Sequence, residues 1–590
     1  MFIKICFLIL SSCLLYGESY GSKQLIPAGH WIYDALYTIY TEASRAVIAD
    51  SAPLSVEEIQ FHLEQIDPEI LSVSGKQLYG KTLDFLAEKK FSISLHPFSF
   101  AFNIHGSPQV MGKTNPDLDW SFATDYTGRK LGRSENPDSS VTEYGAASGF
   151  SGNTFTEPLI KFPLYFDFAD FLMIEADPFF GKSFWAMAVD DNISNLPLHG
   201  YELDFLWPTN AYANTGWIFS KGWAFNLHVG KEGYQLGHSK TGSVIYNKTF
   251  QTDAYFHMGL TSPVFKYEMV VTEVDHSKYF YMHDIDVVLF KRVKLGIVEG
   301  TLVNNPFEFR YLNPLMIMHS FGSWEEYHDT QEQKYYGESH VCAYLGIKLD
   351  VIPCNNVRLY ALYSQNEIQP ANEPGDASTK CYPDSLGIQV GGEYTRPGED
   401  GVYYTFNIEG IYTTPYLYIK QGADWSLYRN RSNMQSNKEN PICSWIGTPF
   451  GPDCVGVQLS YEYKKPLKYS FFTSYLFVAH GTNSFGLFNS EKEIDGRYYN
   501  DYYPSVLYRM HENGKGGLEW NDARSRGRSY ELSGIVQFTN ALAVRSEYVL
   551  NEHITLNGQV IYSFVFNNKN QLDSFAQGVE FEFGAKLSLF

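Results

Sequence analysis

Three stretches of the chain carry side chains of the kind that hold saccharides. Arg524, Arg526 and Arg528 are spaced by two, so in an extended segment their guanidinium groups project to one side, a ladder for bidentate bonds to the carboxylates of an acidic glycan. Trp324, Glu325, Glu326 and Tyr327, followed by Tyr335 and Tyr336, set flat rings beside acceptors, suited to stacking on sugar faces and bonding their hydroxyls. Tyr499, Tyr502 and Tyr503 stand near Asp495 and Asp501 and offer the same equipment. Each stretch also has a plainer reading: the arginines as partners of nearby carboxylates, the tyrosines as an interfacial girdle.

Bond-making chemistry is poorly represented. There is no His-Glu-x-x-His and no Gly-x-Ser-x-Gly, and before Gly181-Lys182-Ser183 an alanine, Ala176, stands where a phosphate loop needs its first glycine. His238-Ser239 and His319-Ser320 are sequence neighbours, which in a strand point to opposite faces and cannot act as base and nucleophile. The expectation is a non-enzyme with no cofactor and no metal site. Past the leader, five cysteines remain, with no Cys-x-x-Cys pair. Cys443 and Cys454 flank a Gly/Pro-containing segment and either close it as a disulfide or stand as separate thiols.

The elements that position these residues follow from composition and period. The 590 residues include 43 Phe, 44 Tyr and 10 Trp, yet only 44% are hydrophobic and 19% are charged. Mean hydropathy is close to neutral, at -0.25. Beyond the leader no apolar run is long enough for a spanning helix. A net charge of -21 argues against nucleic acid as a partner, because phosphate would be repelled by most of the surface. Lys4, the apolar run Ile5 to Leu15 and the polar tail that follows have the layout of a secretory signal, here residues 1–21. Leu10-Ser11-Ser12-Cys13 also fits a lipoprotein box; the short run before Cys13 favours ordinary cleavage.

Residues 22–90 read as a small helical module. Ile32, Leu36, Ile39 and Ala43 recur at helical spacing, Ser55-Val56-Glu57-Glu58 is a capping box, and Ser74 opens a third helix carrying Leu78, Leu83 and Leu86. From Phe91 to Phe590 the period is two. Tyr404, Phe406 and Ile408 alternate with Thr405, Asn407 and Glu409, and Val579, Phe581 and Phe583 with Glu580, Glu582 and Gly584. The phase flips at His96-Pro97, which predicts a bulge or an edge. Connections such as Ala169-Asp170 are short, whereas 111–158 and 490–530 are long. Aromatic-faced strands, polar on the other side, with short turns on one rim and long loops on the other, predict an all-β transmembrane barrel of about 17 to 20 antiparallel strands around a wet lumen. The terminal Phe590 resembles the signal read by the barrel-assembly machinery, although Leu587 and Leu589 are out of phase with it.

An exported helical module followed by a large aromatic barrel resembles the capsule assembly Wzi family of outer-membrane proteins. Tyr33-Asp34-Ala35-Leu36-Tyr37 and Pro53 to Ile59 are similar to the family's N-terminal helices. The run containing Gly230, Lys231, Tyr234, Gly237 and Gly242 is similar to its strand, glycine turn and strand, and Phe309 to Asn313-Pro314 to a later strand ending in Asn-Pro. The family more often has Arg at the place of Lys231 and Gly-Pro-Gly at the place of Gly237-His238-Ser239. The resemblance implies a monomeric barrel of about 18 strands in the outer membrane of a diderm bacterium, with helices on the periplasmic side, that holds extracellular polysaccharide. Its partners would be that glycan, outer-membrane lipid and, during biogenesis, the assembly machinery. A porin or solute channel and a surface adhesin are the alternatives.

Overall fold

The computed structural model describes residues 18–19, 22–87, 89–90, 93–95, 97–115, 118, 158–182, 194–197, 200, 203–206, 210–219, 222–250, 254–275, 277–303, 306–316, 318, 341–368, 384–419, 426–435, 438–482, 492–494, 497–499, 510–512, 518–520 and 530–589. Three helices form where the helical period predicts them: α1, Trp31–Glu42, α2, Val56–Leu63, and α3, Val73–Leu86. The capping box is closed, with the Glu58 N–H donating to Ser55 Oγ at 3.3 Å and the Ser55 N–H donating to Glu58 Oε2 at 2.8 Å. The third helix starts two residues earlier than its sequence suggests, because Ser72 rather than Ser74 accepts the Gly75 N–H, at 3.0 Å. Ile32, Leu36, Ile39, Ile59, Leu63 and Leu78 meet in one core, joined by Tyr403 from the sheet.

Among the described residues, twenty-four strand segments form one antiparallel sheet. Its first stretch is paired on both sides: Phe98–Phe102 with Leu164–Phe168, and Gln109–Lys113 with the last strand, Phe575–Ser588. Phe590 lies outside the described residues. Leu95 pairs with Phe98 and Ile93 with Phe100, so the chain reverses between Leu95 and Phe98, and a reversal changes the phase as a bulge would. Ala169 and Asp170 turn the chain with φ of 51° and 54°. Similar short turns join Val341–Cys354 to Val357–Glu367 and Cys454–Lys465 to Tyr469–His480.

Exposure along these strands is inverted relative to a soluble protein. Phe406 and Ile408 are 53% and 55% exposed, while Asn407 and Glu409 between and beside them are 4% and 1% exposed. Phe583 repeats this beside Glu582, at 51% against 2%. Apolar side chains facing outward over polar ones facing inward are stable only if the outer surface meets lipid. The inner face is not simply polar and wet, as the alternation suggested. Val270, Phe280, Val298, Leu302 and Val478 also point inward, and Leu236, Val244, Ile245, Leu417, Ile446 and Phe450, from segments folded against that face, pack on them in a second core.

Candidate functional site

The best-defined polar constellation lies where the helical module meets the inner face. Strands Phe265–Asp275, Lys278–Leu289, Val293–Val303 and Val341–Cys354 are consecutive neighbours, and their registers align Lys266 with Asp286, Glu268 with Asp284 and Lys294 with Asp350. The segment after α1 carries Asp50 into this array. Lys266, Lys294 and Lys348 reach its carboxylate at 2.6, 2.5 and 3.1 Å. Lys266 also meets Asp284 at 2.9 Å and Asp286 at 3.1 Å, and Lys348 meets the same two at 2.7 and 2.9 Å. All these side chains are almost fully buried.

The carboxylates of Asp50, Asp284 and Asp286 converge to within 4.8 Å, a spacing that suits a cation. Ammonium groups already fill that role, which makes the cluster a structural lock. Burial alone would raise the Asp50 pKa, but Lys266, Lys294 and Lys348 outweigh it and hold the carboxyl well below its ordinary range. Such an array is costly to desolvate and gives little net stability over an apolar one, but losing one partner is expensive. Its value is registry, since it fixes one docking position for the module. Sequence reading missed it, although Lys266-x-Glu268, Asp284-x-Asp286 and Lys348-x-Asp350, charges two apart on strands, were its signal.

A second anchor holds the segment containing the family-like glycines. Glu409 accepts the backbone N–H groups of Lys240 and Thr241, both at 3.0 Å, the Gln389 amide at 2.8 Å, and the hydroxyls of Thr241 and Tyr360. Gln389 in turn takes the Val244 N–H at 3.0 Å and donates to the Gly242 carbonyl at 2.9 Å. Gly237 adopts φ +87°, and its N–H reaches the Asp50 carbonyl at 2.9 Å. Gly230 and Lys231 close strand Ala224–Lys231, and Tyr234 is buried against Tyr246. The family-like strand, turn, strand reading holds only for its first half. After Gln235–Leu236, which pairs with Ser51–Ala52, the chain bends inward instead of forming a second sheet strand.

Around α1, Asp34 pairs with Lys240 at 2.8 Å and His238 at 3.3 Å. Burial opposes its ionisation, yet Lys240 and His238 carry its carboxyl well below the ordinary range. Arg358 binds Asp350 and the His238 carbonyl, with its guanidinium 4.6 Å from the Tyr37 ring centre and 4.2 Å from that of Tyr360.

Trp324, Glu325, Glu326, Tyr327, Tyr335, Tyr336, Tyr502, Tyr503, Arg524, Arg526 and Arg528 lie outside the described residues. Tyr499 ends a short strand, Arg497–Tyr499, paired with Lys492–Ile494. Phe309–Leu312 is a 3-10 helix, not a strand, because the segment folds over its neighbour and packs Tyr311 on Tyr281 at 4.8 Å. It ends at Asn313, whose side chain accepts the Leu315 N–H at 3.1 Å, with Pro314 between them. Cys454 is a buried free thiol whose sulfur accepts the Thr413 hydroxyl at 3.2 Å. The side chain of Cys443 lies outside the described residues.

The inverted sheet and its partners define a class: the fold is that of the outer-membrane β-barrels. Within that class, the chain is similar in structure to Wzi of Escherichia coli, described as a carbohydrate-binding β-barrel of the outer membrane involved in group 1 capsule assembly. The TM-score is 0.52 at 10% identity, over 95% of this chain and 98% of that one. OccK5 (OpdH) of Pseudomonas aeruginosa and the outer-membrane channel DcaP of Acinetobacter baumannii match at TM-scores of 0.35 and 0.30. Their identities are 8% and 10%, over 83% and 84% of this chain and 98% and 99% of theirs. No family model matches the chain, and no curated protein matches its sequence.

Proposed function

We propose that the chain is a plugged outer-membrane barrel that holds a surface polysaccharide at its long-loop rim, a carbohydrate-binding barrel of the kind Wzi is described to be. The stretch 98–113 pairs with both the second and the last strand, which supports closure, and the helical module packs against the short turns, which we read as the periplasmic side. The observation that carries the reading is the filled interior. Leu236, Val244, Ile245, Leu417 and Ile446 are at most 1% exposed against the inner face, and the Asp50 lock fixes the module beneath them. A through-channel needs that space for water, so the barrel acts at its surface, through loops that include the aromatic and arginine stretches. The refolded chain should bind a polysaccharide on a glycan array and show no large conductance in a planar bilayer. Binding to no glycan together with an open channel would replace this reading by the porin one.

A further inference from the structure

On the short-turn side, between α1 and strands Cys454–Lys465, Tyr469–His480 and Gln537–Asn551, there is a cavity of about 550 Å³. Its rim includes Leu467, which is 55% exposed, so it reaches the surface. Seven lysine and arginine side chains line it against four carboxylates, in a chain whose overall charge is -21. The carboxylates are already engaged. Asp34 is held by Lys240 and His238, and Asp50 by the three lysines behind the wall. Glu462 is held by Lys464 at 3.1 Å, and Glu547 by Lys586 at 3.3 Å. Lys465 is bound to Asp400 at 2.8 Å.

Among the lining lysines, Lys248 and Lys468 are not drawn into these pairs, and Lys248 is the one turned inward. It projects from the inward-folded segment and has no hydrogen bond or ion pair among the described residues. Burial above all, then the charge of Arg545, pulls its pKa from 10.5 to about 8 despite Asp34 nearby. The backbone makes room for it: a Cβ on Gly29 would stand 2.3 Å from Lys248 Nζ, and Gly29 has φ +84°. Arg545 stands in the same wall, 4.8 Å from the Phe472 ring centre.

We infer that this cavity binds an oxyanion, a phosphate or carboxylate group on a small solute or sugar residue, with Lys248 as the direct contact and Arg545 as its neighbour. The chemistry is charge-assisted hydrogen bonding in a site partly shielded from water. This site lies at the opposite rim from the proposed polysaccharide surface and does not depend on that reading.

The test is calorimetric titration of the full refolded chain with inorganic phosphate, glucuronate and glucose, repeated on Lys248→Met and Arg545→Gln. Saturable binding of phosphate or glucuronate, absent for glucose and weakened about tenfold or more in Lys248→Met, is the expected result. The tighter of the two anions identifies the source, phosphorylated or uronic. Heat-modifiable gel migration checks that each variant is folded, and Arg545→Gln keeps the test decisive where Lys248→Met is not. Failure of both anions to bind the wild-type chain at millimolar concentration, or equal binding in all folded variants, overturns the assignment.

Discussion

Replacing Asp50 by Asn isolates the contribution of the lock, because Asp50 is the one carboxylate in it that belongs to the helical module. After the change, Lys266 and Lys348 keep Asp284 and Asp286 at 2.7 to 3.1 Å. Lys294 keeps only Asp350, at 3.1 Å, and Asp350 is already bound to Arg358. The uncompensated charge therefore sits on Lys294. Breaking a buried pair in this way costs about 3–5 kcal/mol. That should be paid by undocking of the module rather than by the sheet, whose strands keep all their backbone pairing. Amides of Trp31–Glu42 should then exchange with deuterium roughly 200- to 4,000-fold faster in the refolded chain, while those of Lys278–Leu289 keep their rates. Adding Lys294→Met removes the stranded charge and should recover part of the loss, so the double variant is more stable than the summed singles. The reasoning is refuted if module exchange rises less than about tenfold, if the strands accelerate in parallel, or if Lys294→Met makes the damage worse.

Glu58 gives a pH prediction. Burial raises its pKa from 4.5 to about 7 despite the bonds from Ser55, so its stabilisation is complete below the ordinary value and is lost as pH rises through about 7. Glu58→Gln should slow exchange in α2 at about pH 8, by up to roughly 3 kcal/mol, and change it little near pH 4.5. His62, driven down to about 3 by burial, contributes the opposite slope, and as it is present in both proteins it cancels in the comparison. Gly296→Ala should undock the module much as Asp50→Asn does, because a Cβ there would lie 1.8 Å from Asp286 Oδ1; unchanged exchange in α1 would count against the tight cluster. Glu409→Ala leaves the Lys240 and Thr241 N–H groups without an acceptor, at a cost of about 1–3 kcal/mol each, which limited proteolysis near Lys240 would detect. Cys454 should resist maleimide in the folded chain and react only after unfolding.

The inverted strands were legible because lipid on one side and protein on the other leave a period of two in the sequence, plainest at Tyr404 to Glu409. The helices were legible too, through Leu36, Ile39 and the Ser55 box. The inward-folded core was not: Val244, Ile245 and Leu417 sit in segments without period, and their partners Val270 and Phe280 interrupt an otherwise polar face. Local pattern says that such residues are buried, not on which side of a sheet. The lock joins Asp50 to Lys348 across nearly three hundred residues, a contact that only register brings about. Phe309 to Asn313 misled because an aromatic run next to Pro314 fits a strand end as well as a 3-10 turn.

The docking of the module also fixes an order of events. It is made first, yet it is held by groups synthesised much later: Lys294, Lys348, Asn355 and Tyr403, the last reaching back to Trp31 across 372 positions. Until Lys240 is folded inward and Lys266, Lys294 and Lys348 are paired into the sheet, Asp34 and Asp50 lack these partners and belong in water. The expectation is that the module stays hydrated and undocked until these strands have paired, and docks only afterwards. A chain truncated before Lys348 would carry a complete module with nowhere to seat it.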